Sequence, residues 1–215
     1  MRAASTAALT VLLAACSGGF HSSAPASQVY VLRAAAARPQ GQLMGPASSL
    51  RIGRPIAGPG LDTDHVLLVQ PDHRMSYYTA SRWPAELPDV VEALVVDTLR
   101  ASGEWTTVQD SRSAFSSEYL LQMSIRRFEA EYSSGNTVPE VHVVFDCTVG
   151  RRSGREVVAS FVAEGSARAA ANRLSDVISA FEEAANQALA ETAAHAYQGV
   201  HSSQNVDSPV PSITR

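Results

Sequence analysis

The sequence predicts an α+β fold, a mostly antiparallel sheet with two helices packed on one face. Three long segments of strand character, 118–132, 138–150 and 155–165, follow one another with only short turns between them. This arrangement indicates an antiparallel meander. Two segments with helical spacing of apolar residues, 88–101 and 175–197, flank the meander. The chain is long enough to fold these elements into one domain with a full hydrophobic core.

Shorter strand signals precede the meander and are separated by glycine and proline. They comprise segments 28–32, 50–55, 65–70 and 74–78, and a brief segment 105–108 follows the first helix. Residues 34–49 show no sustained period and contain two prolines and two glycines, which predicts a loop.

The first strand of the meander changes its alternation part-way along. Its apolar side chains follow one parity and then the other, and they are Tyr119, Leu121, Met123 and Ile125, then Phe128, Ala130 and Tyr132. A slip of one residue is what a β-bulge produces, so we predict a bulge near Arg126.

The two helices have different end signals and different compositions. Pro88 suits the first turn of the first helix, and Ser102 and Gly103 end it. The second helix has an alanine-rich stripe that permits close packing on the sheet, with polar residues opposite, among them Gln187 and Glu191. Beyond Gly199 the composition predicts a disordered tail over 199–215.

The N-terminus has the three-part layout of a secretory signal peptide. One arginine precedes a short apolar run that ends in Leu13, Ala14, Ala15 and Cys16, and the run is too short to span a bilayer. The last four residues resemble the lipobox of bacterial lipoproteins, which implies removal of 1–15 and acylation of Cys16 by fatty acids such as palmitate. The alternative is an ordinary secreted protein whose signal region contains a cysteine.

A flexible tether connects the predicted anchor to the domain. Residues 16–27 comprise the lipidated N-terminus and a stretch rich in Gly, Ser, Ala and Pro, and 28–198 form the single α+β domain. Residues 18–27 reach at most about 35 Å when fully extended, which favours work close to the membrane. Ser17 is neutral, and in bacterial lipoproteins a neutral residue at this position implies export to the outer membrane.

Charge and cysteine content exclude several classes of function. The formal net charge is −4 and no basic cluster stands out, which argues against nucleic acid as a partner. Cys147 remains as the only free thiol once Cys16 is acylated, so no intramolecular disulfide can form. Cys147 shares the parity of Val143 and Phe145, which predicts a buried structural cysteine.

No set of residues indicates catalysis, a metal site or a cofactor. The sequence contains neither Gly-x-Ser-x-Gly nor His-Glu-x-x-His. The densest set of ligand types is Asp62, Asp64, His65, Asp72 and His73. A strand separates its two halves by about 20 Å, too far for one tetrahedral site. We therefore expect a protein that is not an enzyme and holds no cofactor.

Three aromatic residues remain as a candidate contact site. Tyr77, Tyr78 and Trp83 lie between the last short strand and the first helix. They either fill this junction as core residues or form a patch that contacts a partner or lipid, because Tyr and Trp are enriched in interface cores.

The order of the apolar and aromatic positions resembles one family. These positions are Tyr30-Val31-Leu32 after the lipobox, Leu50-Arg51-Ile52 up to Pro55, Leu61-Asp62 before Val66-Leu67-Leu68, Tyr77 and Arg82-Trp83 before the first helix, and Tyr119-Leu120-Leu121 up to Phe128. They are similar to the ABC-type transport auxiliary lipoproteins, the lipoprotein component of MCE-type lipid transport systems. The basic residue that often follows the Leu-Asp pair is replaced here by Thr63-Asp64-His65.

The resemblance implies a function, a partner and a location. It implies a non-enzymatic component, anchored at the periplasmic side of the outer membrane, that contacts an MCE-domain subunit and helps phospholipid or other apolar cargo cross the periplasm. It also implies a fold like the N-terminal domain of TolB-like proteins. Homo-oligomers are consistent with such a role. The alternative is an envelope lipoprotein that activates a peptidoglycan synthase.

Overall fold

The computed structural model describes residues 26–35 and 48–207. The predicted signal peptide, Cys16 and most of the tether lie outside the described residues. Within the described part, one mixed sheet of nine strands and two helices form an α+β fold, as the sequence predicts.

The strands and helices have the following bounds. The strands are β1 Gln28–Val29, β2 Leu50–Ile52, β3 Ile56–Ala57, β4 His65–Val69, β5 Met75–Arg82, β6 Val108–Gln109, β7 Tyr119–Glu131, β8 Glu140–Arg151 and β9 Glu156–Arg168. The helices are α1 Leu87–Ser102 and α2 Leu174–Asp207.

Strand β7 organises the sheet because it has neighbours along both edges. On one edge it pairs with β8, which pairs with β9, and these long pairings are antiparallel. On the other edge the short strands β2, β3 and β4 pair with it in parallel, one after another along its length. The predicted meander is confirmed. The pairs on the other edge are parallel because the segment from β2 to β4 runs alongside β7 in the same direction, before the chain turns back into β5.

The bulge predicted from the change of parity is present in β7. Its register against β8 shifts between Ile125 and Arg127. The bulge lets both Ile125 and Phe128 enter the core, where their exposed fractions are 0% and 1%. The extra residue therefore keeps both halves of the apolar pattern on the same side of the sheet.

Helix α1 begins and ends as the sequence predicts, to within one residue. Pro88 lies in its first turn, and Gly103 ends it in the left-handed conformation with φ 67°. Glycine adopts this conformation without steric cost.

Helix α2 is longer than predicted. The prediction of a disordered tail is wrong for residues 199–207, which are helical, and residues 208–215 lie outside the described residues. Val200 is fully buried, and a Cβ at Gly199 would lie 2.4 Å from that of Ala159. A glycine, which weakens helices, is kept here because it lets the helix pass close to β9.

The alanine stripe of α2 packs closely on the sheet, as its composition indicates. Ala184, Ala185 and Ala188 are buried against the meander. At the tightest point, a Cβ on Gly165 of β9 would lie 2.0 Å from the carbonyl oxygen of Ala184. Only glycine on the strand therefore permits this approach.

The two helices cover one face of the sheet, here called the helix face. The buried side chains of β8 on this face are Val141, Val143, Phe145, Cys147 and Val149, with exposed fractions of 0–2%. The opposite side, here called the free face, carries the residues of the other parity. Leu120, Val144 and Thr148 are half-buried there, and Val162 is 42% exposed.

Candidate docking surfaces

Trp83 belongs to the core. Its ring makes edge contacts with Phe128 and Phe181, at centroid distances of 6.0 and 5.4 Å, and its exposed fraction is 2%. Of the two sequence-based interpretations, the packing one therefore holds for Trp83.

Tyr78 lies on the helix face and is half-buried. Its hydroxyl is 3.0 Å from that of Tyr132, which donates a hydrogen bond to Asn172 Oδ1 at 2.8 Å. Burial raises the pKa of Tyr78 well above its ordinary value. The phenol therefore stays neutral and connects β5 to the segment before α2.

Tyr77 lies on the free face, because successive residues of a strand point to opposite sides of the sheet. Its exposed fraction is 47%, and its ring lies 4.8 Å from that of His65, centroid to centroid. Met75, two residues earlier on the same face, is 48% exposed. The three predicted aromatic residues thus do not form one patch, and only Tyr77 is widely available to a partner.

Strand β1 extends the surface around Tyr77. Val29 is opposite Arg82 in β5, which is opposite His65 in β4, so the three share the free face. Val29 is 60% exposed, and Arg82 donates to Asp64 Oδ2 at 3.2 Å. We call the set Val29, His65, Met75, Tyr77 and Arg82 the Tyr77 surface. It lies beside Gln28, the first residue of the first strand.

A network of charged groups lies further along the free face. Arg127 Nε donates to Glu129 Oε1 at 2.6 Å, and its guanidinium also binds Glu131 at 2.5 Å. His142 Nε2 lies 3.7 Å from the same Glu131 carboxylate. Partial burial lowers the pKa of Arg127, but the hydrogen bonds that its guanidinium donates to the two carboxylates outweigh this and raise the pKa above its ordinary value. The bulge positions this network, which stabilises the otherwise costly burial of Glu129.

The acidic residues of the two turns, considered above as metal ligands, lie beside arginine side chains. Asp64 lies near Arg82 and His65, and Asp72 binds Arg74. Among the residues that the structure describes, no group of three or more His, Cys, Asp or Glu could hold a metal ion.

Cys147 is buried on the helix face, as its parity predicts. Its sulfur lies 4.0 Å from Thr192 Oγ1, and its exposed fraction is 2%. Burial raises the pKa of the Cys147 thiol to about 12. The thiol is therefore neutral at physiological pH and is a packing group.

The sequence matches a protein family over most of its length. Neither described helix has a stretch apolar and long enough to cross a bilayer. Residues 30–194 match the family described as the ABC-type transport auxiliary lipoprotein component. The chain belongs to this family. As an ABC-type transport auxiliary lipoprotein, it is a membrane-anchored protein of the cell envelope that associates with an ABC transport system.

Solved structures agree with the fold of this auxiliary lipoprotein. A crystal structure of a Xanthomonas campestris protein of family DUF330 has a TM-score of 0.74 at 21% identity, and the match covers 85% of this chain and 100% of that one. An uncharacterized protein has a TM-score of 0.60 at 13% identity, with 79% and 97% covered. No curated protein has a matching sequence.

The free face of this auxiliary lipoprotein was not predicted from the sequence. The buried parity of β7 and β8 predicted the core, and the other parity was assigned no role. The signal was available, because residues between buried positions of a strand must point to the opposite side. The paired arginines at the β8–β9 turn, Arg151 and Arg152, were also visible in the sequence.

Proposed function

We propose that this lipoprotein is a non-enzymatic auxiliary component of an MCE-type transport system that moves phospholipid or other apolar cargo. It is anchored through acylated Cys16 at the periplasmic side of the outer membrane, and its domain contacts an MCE-domain subunit of the transporter. The family supports the transport role, and the sequence around Cys16 and Ser17 supports the anchor and its membrane.

The Tyr77 surface is the observation that carries the contact. Exposed Val29, Met75 and Tyr77 present apolar and aromatic side chains on a sheet face that no described helix covers. Aromatic residues and methionine are enriched in protein interfaces, and charged residues surround them at the rim. Arg82 and Asp64 form such a rim here.

The position of this surface relative to the tether supports work near the membrane. Gln28 begins β1, and the acylated cysteine precedes it by a short segment. A fully extended 18–27 segment spans about 35 Å, so the Tyr77 surface stays within reach of the membrane and of a subunit docked on it.

Site-specific photocrosslinking in intact envelopes tests this proposal. All 17 cationic residues are arginine, so amine-reactive crosslinkers would find no lysine side chain on this chain. A photoreactive amino acid should therefore replace Tyr77. The matched control replaces Ser179, which is exposed on α2 on the other side of the sheet.

The captured protein distinguishes the two functional classes. We expect the Tyr77 position, and not the Ser179 position, to capture an MCE-domain subunit, and Cys16→Ala to abolish the capture. Capture of a peptidoglycan synthase, with no transporter subunit, would replace the proposal by the envelope-regulator function.

A further inference from the structure

The β8–β9 hairpin forms one wall of a groove at the far end of the free face from β4. The groove has a volume of about 450 Å³. Its floor includes Leu120 of β7 and Thr148 and Gly150 of β8, and Val157 of β9 adds an apolar side chain that is 61% exposed. Because Gly150 has no side chain, nothing from β8 fills the space between Leu120 and Val157 there.

Three arginines line the groove at the hairpin, and two of them are available to a ligand. Arg151 is committed, since it lies 3.5 Å from Glu156 and its guanidinium stands over the Tyr119 ring. Arg152 and Arg155 are exposed. Within residues 26–35 and 48–207, no carboxylate oxygen lies within 4.0 Å of either guanidinium group. The side chain of Arg152 donates one hydrogen bond there, to Ser117 Oγ at 3.4 Å.

The local charge opposes that of the whole chain. The protein has a formal net charge of −4, yet two exposed arginines border the groove, and the one carboxylate of its lining, Glu156, is already paired with Arg151. A pair of unopposed guanidiniums is suited to a phosphate, which accepts several charge-assisted hydrogen bonds from planar donors. Two cations are too few for a nucleic acid, whose binding relies on many phosphate contacts.

We propose that this groove binds the headgroup of an anionic phospholipid. Arg152 and Arg155 donate hydrogen bonds to its phosphate, and the start of its acyl chains contacts Leu120 and Val157. The apolar floor favours a phospholipid over free phosphate, because phosphate alone gains nothing from apolar contact. This site adds a contact with the cargo to the proposed function, at a place separate from the Tyr77 surface. Its use in transport rests on that proposed function.

Native mass spectrometry of the mature lipidated protein tests the site. The protein is kept in uncharged maltoside micelles and titrated with phosphatidylglycerol, with phosphatidylcholine, or with inorganic phosphate. The test variant is R152Q/R155Q. The matched control is R168Q/R173Q, which removes two exposed arginines, one at the opposite end of β9 and one shortly after it.

We expect wild type and R168Q/R173Q to retain one phosphatidylglycerol, and R152Q/R155Q to bind it about tenfold more weakly, because two charge-assisted hydrogen bonds are lost. A photoreactive acyl chain should label the peptides that contain Leu120 and Val157. Equal retention by both double variants, labelling elsewhere, retention of phosphatidylcholine equal to that of phosphatidylglycerol, or displacement of the lipid by equimolar phosphate would each overturn the proposal.

The outcome is independent of the envelope crosslinking experiment. Retention of phosphatidylglycerol without capture of a transporter subunit would refute the proposed function and leave this site in place. Capture without retention would refute this site alone.

Discussion

The two faces of the sheet are built from the same strands and differ in what covers them. On the helix face, Cys147 and its neighbours of the same parity are at most 2% exposed. On the free face, the adjacent Thr148 is half-buried, and Arg126 pairs with Asp146 across the strands at 3.3 Å. The helix face therefore stabilises the domain, whereas the free face is available for binding.

We expect the largest difference in the free energy of unfolding between a substitution of Trp83, which follows β5, and a substitution of Tyr77 within β5. Trp83→Ala should lower the free energy of unfolding by about 3 to 5 kcal/mol, because it leaves a cavity beside Phe128 and Phe181. Tyr77→Ala should change it by only about 0.5 kcal/mol, because Tyr77 is exposed. Urea denaturation measures both, and equal losses would contradict the assignment of these residues to opposite faces.

We expect the next largest effect on stability at the contact between α2 and β9. Gly165→Ala should destabilise the protein by about 1 to 3 kcal/mol, because the new methyl group overlaps the Ala184 carbonyl and forces the helix outward. Gly154→Ala is the matched control, since a Cβ there meets no atom within 4 Å. Thermal unfolding compares the two variants, and a Gly165→Ala protein as stable as the control would rule out the close approach.

The reactivity of a cysteine thiol on each face compares how accessible the two faces are to a reagent in solution. Because its thiol has a pKa of about 12 and is buried, Cys147 in the native protein should react with Ellman's reagent about 100-fold more slowly than in urea. In a C147A background, T148C places a thiol on the free face, and it should react readily without denaturant. The measurement uses residues 17–215, so that no other cysteine is present, with circular dichroism to verify folding. Similar native rates at the two positions would contradict the assigned parity.

The smallest effect concerns a carboxylate buried near the end of α1. Burial raises the pKa of Glu104, so the folded state holds its proton more tightly than the unfolded state does. The resulting stabilisation is present below the unfolded-state pKa near 4.5 and is lost as pH rises through the higher folded value. Glu104→Gln should remove this dependence and make the variant relatively more stable at neutral pH. Urea denaturation from pH 4 to 8 checks it, and parallel curves would contradict the prediction.

The helical periodicity of α2 did not predict the hydrogen bonds that its polar side makes with the sheet. Gln187 and Glu191 were interpreted as facing away from the stripe, yet they accept hydrogen bonds from the backbone N–H groups of Ser166 and Glu164 in the edge strand β9. Four residues of helix rise about 6 Å and two residues of strand about 6.6 Å, so the spacings match. These side chains cover part of an edge that would otherwise be open to another strand.

The segment after β1 is held in the same way. Asn186 accepts from the Ala35 N–H at 2.7 Å and donates to the Arg33 carbonyl at 3.1 Å. Glu182 accepts from the Arg33 N–H at 3.0 Å. About 150 residues separate these partners in the chain, so no local pattern could have indicated the contacts.

Features that repeat over short distances could be predicted from the local sequence. The meander, the bulge near Arg126, the limits of α1 and the burial of Cys147 all follow from alternation, helical spacing or end signals within a few residues. Features that depend on a distant partner in the chain became visible only in the folded protein. The tertiary structure placed Trp83 in the core and Tyr77 outside, extended α2 across β9 to Asp207, and brought Leu120, Arg152 and Val157 to one groove. The physical reason is that burial of a side chain depends on which element covers it, and that element is usually far away in the chain.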